Sequence, residues 1–393
     1  MSLRRLECGF IPLIDSAPLV IARELGFARE EGLDLQLQAQ PSWSAVRDKL
    51  ALGRLDAAHL LAPVPIAMSM GLGGMALALD ALSVLSMNGN VVGVSSRLAR
   101  RMADAGAPGD FRSAAEIGRA LIRVCDKPLT VGVPFPFSMH AELLYYWLGA
   151  LGLKAPQDLI VRTVPPPQMA EAIEAGTIEA FCVGEPWGSV AVARGCAELI
   201  LPGAAIWNFA PEKVLAVRKG WAEREIEATS GLMRAVWRAA RWLGNSANVM
   251  TAAEIMSGAD YLNLSSEMIE RTLQGRLLVN ASGEERVTPR FIEFFDGAAT
   301  FPWRSQAVWI ATRLARRNGL DLEEAAAVAR GCFRPDLYRT CLDSAGADMP
   351  GASEKLEGAL DMRSPVASST GEMYLGPDLF FDGRVFDPIV ISV

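Results

Sequence analysis

Residues 33–61 read LDLQLQAQPSWSAVRDKLALGRLDAAHLL, and this stretch decides the fold. Its first eight residues alternate apolar and polar side chains, which is the period of a strand with one buried face. Ser42–Leu52 has helical spacing, with Ser42 placed as the N-cap and Gly53 as the C-terminal stop. Ala57–Leu61 is a short apolar run typical of a buried strand. A strand, a helix and a second strand in this order predict a βαβ unit.

The alternation extends in both directions from this unit. Leu6–Ile11 is predicted to be a strand and Ala17–Leu25 a helix. A second run predicts the strands Thr130–Pro134, Ile160–Val164 and Ala180–Val183 with the helices Ser138–Leu151 and Gln168–Ala175. Two such runs predict two parallel sheets covered by helices. Leu82–Ser95 and Val214–Val217 are then the two crossovers, so the chain would enter the second sheet near Val91 and leave it near Trp207.

We therefore predict an α/β protein of two lobes. Lobe I would comprise residues 1–90 and 208–393, and lobe II residues 91–207. Beyond Trp221 the sequence is mostly helical, with predicted helices at Ala222–Leu243, Ala252–Ser257, Ser265–Gln274, Ser305–Asn318 and Leu322–Gly331. The tail Ser364–Val393 is predicted to wrap irregularly, because its phenylalanines favour burial.

The composition excludes several classes of function. The net charge of −7 over 393 residues is unlike that of a direct nucleic-acid binder, which needs clustered Lys and Arg. No run of about 18 apolar residues predicts a membrane span. The two histidines, His59 and His140, argue against a multi-histidine metal site, and the six cysteines lack CxxC spacing. GxxxxGK[ST], HExxH and GxSxG motifs are absent. We predict no enzyme activity, no cofactor and no metal, and we expect reduced thiols, as in the cytoplasm.

Five polar segments lie where predicted strands end or helices begin, the edge at which open parallel sheets bind ligands. Each segment also has an ordinary structural explanation. Trp43 could cap its helix, residues 87–90 could form a plain Asn-Gly turn, and His140 could be a structural histidine in the first turn of a helix. Gly184 could serve a tight strand-to-helix turn, and Lys213 could form a surface salt bridge. His59, inside Ala57–Leu61, is interpreted as a hydrogen-bonded interior residue rather than a ligand.

In this order, the segments resemble the nitrate- and bicarbonate-binding proteins of the NrtA/CmpA/NasS family. The resemblance covers residues 6–220, and the tail at 378–387 is similar to the family's ending. The stretches that carry it are IPL at 11–13, APLVIA at 17–22, SWSAVRD at 42–48, AAHLLAP at 57–63, MNGN at 87–90, SMH at 138–140, FCVGEPW at 181–187 and PEK at 211–213.

The resemblance implies a type 2 periplasmic-binding-protein-like fold with two crossovers that closes on an oxyanion. Position by position, it implies a pocket of Trp43, Asn90, His140, Gly184 and Lys213. The nitrate-binding pattern has glutamine where this chain has the shorter Asn90. The bicarbonate-binding relatives are similar but have an acidic residue at the position of Lys213. Lys213 therefore favours nitrate or nitrite, since nitrate accepts hydrogen bonds and offers none.

Two roles share this fold and pocket. The resemblance to NasS implies a cytoplasmic nitrate/nitrite sensor that holds an ANTAR-type, NasT-like RNA-binding antiterminator inactive until the anion binds. The alternative is the solute-binding subunit of an ABC importer for nitrate or, less expected, bicarbonate. Arg4 and Arg5 are followed by Glu7 rather than by an apolar run, so no secretory signal is predicted. The sequence thus favours the sensor, and a periplasmic protein is expected if a signal peptide has been removed.

Overall fold

The computed structural model describes residues 3–74 and 77–391, so the outermost residues of predicted lobe I lie outside the described part. From the first strand to the fourth, which span residues 4–88, strands alternate with helices as predicted. The strands are β1 (Arg4–Phe10), β2 (Leu33–Ala39), β3 (Ala57–Leu61) and β4 (Leu79–Asn88), and the helices are α1 (Ala17–Glu24), α2 (Phe27–Glu30), α3 (Trp43–Ala51) and α4 (Pro63–Ser69). Ser42 is the N-cap of α3, because its Oγ accepts the N–H of Ala45 at 3.2 Å.

The segment of residues 90–202 repeats this alternation of strands and helices. Its strands are β5 (Asn90–Ser95), β6 (Leu129–Val133), β7 (Leu159–Thr163), β8 (Ala180–Gly184) and β9 (Ala197–Pro202), and its helices are α5 (Ser96–Asp104), α6 (Ala114–Val124), α7 (Met139–Ala150), α8 (Met169–Glu174) and α9 (Trp187–Ala193). Helices α5 and α6 were not predicted. Helix α5 buries only Leu98, Ala99 and Met102 and is otherwise rich in arginine, so its apolar face is narrow.

The remainder is mostly helical, as predicted. It contains β10 (Pro211–Arg218), α10 (Trp221–Arg224), α11 (Ile226–Leu243), α12 (Val249–Met256), α13 (Ser266–Leu273), β11 (Arg276–Leu278), β12 (Glu285–Val287), β13 (Ile292–Glu293), α14 (Arg304–Asn318), α15 (Leu322–Cys332), α16 (Pro335–Leu342), β14 (Ser364–Pro365) and β15 (Tyr374–Leu375). Short 3₁₀ turns cover Ile14–Ser16, Pro166–Gln168, Gly203–Ala205, Ser246–Asn248 and Asp343–Ala345. The single helix predicted over Ala222–Leu243 is interrupted at Glu225, whose φ of −119° and ψ of 44° are not helical.

The described strands form two main sheets, with the orders β13-β4-β10-β3-β1-β2 and β7-β6-β8-β5-β9. The prediction of wholly parallel sheets is wrong in one respect. Strand β10 runs antiparallel to β3 and β4, and β5 runs antiparallel to β8 and β9. These two strands bring the chain across from the other lobe. Each therefore enters its sheet from the edge at which the remaining long strands end.

The division into residues 1–90 plus 208–393 and 91–207 stays a proposal, and one segment departs from it. The hairpin β11–β12 belongs to the C-terminal part of the chain but packs on the second sheet. Leu199 of β9 donates its N–H to the carbonyl of Val279 at 2.8 Å. Leu277, Val279 and Phe291 share an apolar core with β8 and α9, which explains the placement. Among the described residues, no helix is both long enough and apolar enough to cross a membrane.

Candidate functional site

The five residues of the predicted pocket meet in one buried cluster between the two sheets. At its centre is Lys213, whose Nζ lies 2.6 Å from Oδ2 of Asp15 and 2.9 Å from Oε1 of Glu212. The side chains of all three residues are at most 2% exposed. A lysine this deep needs opposite charge, because burial alone would favour its neutral form. The two carboxylates supply that charge.

A break in strand register explains how neighbouring residues reach the same cluster. Successive side chains of a regular strand point to opposite faces. At the start of β10, however, the pairing with β4 shifts on both sides of Lys213. A bulge of this kind turns side chains out of strict alternation. Glu212 and Lys213 therefore both point into the site, where Lys213 donates a hydrogen bond to Glu212.

Helix α7 brings His140 to the cluster from lobe II. Ser138 caps this helix by accepting the N–H of Ala141 at 3.2 Å. The cap fixes the first turn, and Nδ1 of His140 lies 3.1 Å from Oε1 of Glu212. Burial, together with the positive charge of Lys213, holds the pKa of His140 well below its usual value. The imidazole is therefore neutral near pH 7 and offers one N–H donor.

Trp43 and His59 form the lobe I wall of the site. Trp43 is the first residue of α3, and its ring lies 5.6 Å from Nζ of Lys213. The ring centroids of Trp43 and His59 are 5.4 Å apart. The N–H of Ile11 donates to Nδ1 of His59 at 3.5 Å, and Nε2 of His59 lies 3.0 Å from Oδ1 of Asp15. This arrangement assigns the ring proton to Nε2, directed at the carboxylate. His59 is thus an interior residue that holds Asp15 in place.

Gly184 and Asn90 complete the site from the second sheet, because β5 begins at Asn90, one residue before the predicted start of lobe II. They are paired across β5 and β8. A Cβ at Gly184 would lie 3.6 Å from Oδ2 of Asp15 and 3.8 Å from Nε2 of His140, so a larger residue would fill the space between them. Asn90 donates from Nδ2 to Oε2 of Glu212 at 2.7 Å. The shorter amide therefore positions a carboxylate of the site.

Sequence reasoning missed Asp15 and Glu212, although both left a signal. Asp15 interrupts the apolar segment Ile11–Leu19, and a charged residue that is buried in such a segment needs a partner. Glu212 stands directly before Lys213 in the segment that had been singled out. Strand alternation would place it on the opposite face from Lys213, and only the bulge in β10 shows that both face inward.

The electrostatics of the site combine one cation with two different carboxyl groups. Burial opposes ionisation of Asp15, but Lys213 and the hydrogen bond from His59 lower its pKa to about 2. Burial raises the pKa of Glu212 to about 7, even though Lys213 lies beside it. Burial also acts against the charge on Lys213, yet the two carboxylates raise its pKa overall. At neutral pH the lysine and Asp15 are charged, whereas Glu212 binds a proton more readily than an ordinary carboxyl group does.

In the cluster, Nε1 of Trp43 and both ring nitrogens of His140 have no hydrogen-bond partner among the described residues, and the acceptor Oδ1 of Asn90 has none either. Buried polar atoms are rarely left unpaired, and unpaired groups in a protein interior often mark a ligand site. The indole of Trp43, the single N–H of the neutral imidazole and the ammonium of Lys213 give the site three kinds of donor. A small anion that accepts hydrogen bonds matches this set. Within the described residues, no group of three or more His, Cys, Asp or Glu side chains could hold a metal ion.

Helix α7 also joins lobe II to the C-terminal part of lobe I. The guanidinium of Arg317 in α14 donates to both oxygens of Glu142, with Nη1 2.8 Å from Oε2. Tyr146 donates its hydroxyl to Oδ1 of Asp382 in the tail at 2.7 Å. We call these four residues the latch. Glu142 is fully buried, and the ring of Tyr146 packs edge-on against Phe380. The helix that carries His140 is therefore fastened to the other lobe.

Comparison with known proteins finds relatives named for nitrate and relatives named for bicarbonate. The sequence profile of the NMT1-like family matches residues 2–257. The chain is 30% identical over 392 residues to the nitrate/nitrite binding protein NrtA of Synechocystis sp., covering 97% of this chain and 82% of that protein. It is 33% identical over 336 residues to the nitrate import ATP-binding protein NrtC of the same organism, covering 85% of this chain but only 49% of that protein.

The crystal structure of the periplasmic nitrate-binding protein NrtA from Synechocystis superposes on this fold with a TM-score of 0.84 at 27% sequence identity. The superposition covers 99% of this chain and 97% of that one. The predicted two-lobed, periplasmic-binding-protein-like α/β fold is therefore confirmed.

Proposed function

Because the chain belongs to the NMT1-like family, we propose that it is a binding protein that closes its two lobes on nitrate or nitrite. The observation that carries the proposal is the fully buried ammonium of Lys213, which lies 5.6 Å from the ring of Trp43 and contacts Glu212, the carboxylate that faces His140 of the other lobe. A buried cation at a lobe interface attracts a small anion, and the neutral donors around it fix the orientation of that anion. The names of NrtA and NrtC support this choice of ligand.

Nitrate and bicarbonate make different demands on these residues. Nitrate is planar and only accepts hydrogen bonds, so it uses the ammonium, the indole and the imidazole. Bicarbonate also carries a hydroxyl and needs an acceptor. Asp15 and Glu212 could accept that hydrogen bond, so the site discriminates against bicarbonate less strongly than Lys213 alone suggested. We propose nitrate and nitrite as the preferred ligands because the ammonium of Lys213, the indole of Trp43 and the single N–H of the neutral His140 ring supply three donors to an ion that only accepts hydrogen bonds.

The first prediction concerns ligand choice. We expect calorimetric titration of the ligand-free protein to show saturable binding of nitrate and nitrite, with one site per chain. Bicarbonate should bind more weakly, and chloride, which lacks the three spaced oxygens of nitrate, should serve as the control anion. Binding of bicarbonate alone would reverse the ligand assignment. The absence of saturable heat for all four anions would contradict the proposed function.

We also propose the finer role that the sequence predicts, a sensor whose anion-bound form is distinguished by an RNA-binding antiterminator. Its physical basis is a population shift, since an anion held by residues of both lobes favours the closed form over any form that a partner prefers. The names of NrtA and NrtC favour the alternative, the binding subunit of an importer. In that role the membrane-embedded subunits of the importer would recognise the closed form.

A second prediction separates the two roles. If the protein is a sensor, it should co-elute with an ANTAR-type antiterminator in gel filtration without nitrate and separate from it when nitrate is added. A Lys213→Met variant should stay in the complex at every nitrate concentration, because it lacks the cation that holds the anion. A complex that nitrate never dissociates, or no complex at all, would exclude the sensor role and leave the importer role.

A further inference from the structure

Glu212 occupies an unusual position for a carboxyl group in an anion site. Its Oε1 faces the ammonium of Lys213 on its own strand and the imidazole of His140 on α7, at 2.9 and 3.1 Å. Its Oε2 accepts the amide of Asn90 on β5. The carboxylate of Asp15, from the 3₁₀ turn before α1, and the buried thiol of Cys182 on β8 lie within range of its charge. Lys213 is the single positive charge among these groups.

An ionised Glu212 and a bound anion would repel each other in this cluster. Lys213 and Asp15 form an ion pair, and the imidazoles of His59 and His140 are neutral because burial lowers the pKa of each ring. An ionised Glu212 would leave the cluster with a net charge of −1. A nitrate ion entering the same dry space would add a second negative charge beside it. Like charges at hydrogen-bond distance strongly disfavour simultaneous ionisation.

We propose that the anion enters this site together with one proton, which is taken from solvent and bound by the carboxylate of Glu212. This inference rests on the proposed function. The proton would sit on Oε1, which lies 3.1 Å from Nδ1 of His140 and could donate to it, while Oε2 keeps the N–H of Asn90. The O–H bond that forms removes the charge that Lys213 otherwise shares between two carboxylates. One ammonium N–H is then free for the anion, while Asp15 keeps its ion pair.

The pKa of free Glu212, raised by burial to about 7, sets the pH range. The sign follows from which form binds. The protonated form accepts the anion, so the affinity is constant below this pKa and falls as the pH rises through it. In the limit of obligatory uptake, the dissociation constant for nitrate rises by about tenfold per pH unit. The number of protons taken up rises from near zero below the pKa to about one above it.

The experiment is calorimetric titration with nitrate between about pH 6 and about pH 9, in phosphate and in Tris. Nitrate is chosen because it stays ionised throughout and carries no proton of its own. The two buffers have very different ionisation enthalpies, so the difference between the observed heats gives the number of protons taken up. We expect about one proton above pH 8 and the tenfold slope in affinity. Uptake of no protons by the wild-type protein would overturn the proposal without any variant.

Glu212→Gln tests the assignment to this residue. The amide imitates the protonated carboxyl, so we expect affinity that does not change with pH and, near pH 9, binding of nitrate about 100-fold tighter than in the wild-type protein. Glu185→Gln is the matched control. Glu185 is also fully buried, burial also raises its pKa to about 7, and its carboxylate accepts the N–H of Ser189 outside the cluster. This variant should keep the wild-type slope and proton uptake.

The outcomes are distinguishable from one another. If nitrate fails to bind at every pH, the proposed function fails. If nitrate binds with no pH slope, or if Glu212→Gln keeps the proton uptake, this inference fails alone. In the latter case an imidazole would be the proton carrier. Thermal melting of both glutamine variants before titration shows whether each is folded, and Glu212→Asp offers a second variant that retains a titrating group.

Discussion

Lys213→Met is expected to lower the affinity for nitrate by about 100-fold or more, since removing one partner of a buried charge-assisted contact costs about 3 kcal/mol. Methionine keeps most of the length of the side chain and removes its charge. The anion would then meet Asp15 and Glu212 without a counter-charge. Lys213→Glu should abolish binding as well, but it would place three carboxylates in one buried cluster and endanger the fold. Methionine is therefore the cleaner test.

Lys355→Met provides a matched control. Lys355 is a largely buried lysine that also contacts two carboxylates, with its Nζ 2.6 Å from Oε2 of Glu357 and in contact with Asp378. This cluster anchors the tail and shares no residue with the site. Both variants should lose stability, but only Lys213→Met should lose affinity. His140→Ala should fall between them, with about tenfold weaker binding and a folded protein, because it removes one neutral donor. Wild-type affinity in folded Lys213→Met would refute the site.

Arg317→Met is expected to reduce the free energy of unfolding by about 3 kcal/mol near neutral pH, because it leaves the carboxylate of Glu142 buried and unpaired. Burial already raises the pKa of Glu142 in spite of Arg317. The ionised form is therefore unfavourable above that pKa, and removing the cation increases the cost. The difference between variant and wild-type protein should shrink as the pH falls and Glu142 takes up a proton. Urea unfolding at several pH values measures it.

Arg234→Met is the comparison for this effect. Arg234 also pairs with a glutamate, Glu31, at 2.7 Å, and its side chain is 26% exposed against 28% for Arg317. The two pairs differ in the carboxylate, which is 17% exposed in Glu31 and 0% in Glu142. We expect a loss of about 1 kcal/mol or less for Arg234→Met. Equal decreases in the free energy of unfolding of the two variants would show that burial of the Glu142 carboxylate does not increase the cost of losing its arginine.

Local structure was largely predictable from the sequence, because it depends on local patterns. Ser42 caps α3 as expected, and β3 spans Ala57–Leu61 as predicted. The direction of β5 and β10 was not predictable from periodicity, since apolar alternation is the same in parallel and antiparallel strands. The break at Glu225 lies inside a continuous helical pattern, so periodicity does not indicate it.

Part of the site was likewise predicted from the sequence and part was missed. The resemblance placed Trp43, Asn90, His140, Gly184 and Lys213 on a common pocket, and the structure brings them together. The carboxylates that set the charge of the cluster were missed. Asp15 and Lys213 are far apart in sequence and meet only through the crossover, and Glu212 faces inward only because β10 is bulged. Pairing of this kind follows from three-dimensional placement, which residue type and spacing do not encode.

The latch has a consequence for rates. Helix α7 cannot move away from α14 without exposing the buried carboxylate of Glu142 and separating Tyr146 from Asp382. Release of an anion by movement of this helix would have to cross that barrier. The residence time of the anion would then depend on Arg317 and Asp382, which never touch it. Substitutions in the tail could thus change how long a signal or a cargo is held while leaving every ligand contact intact.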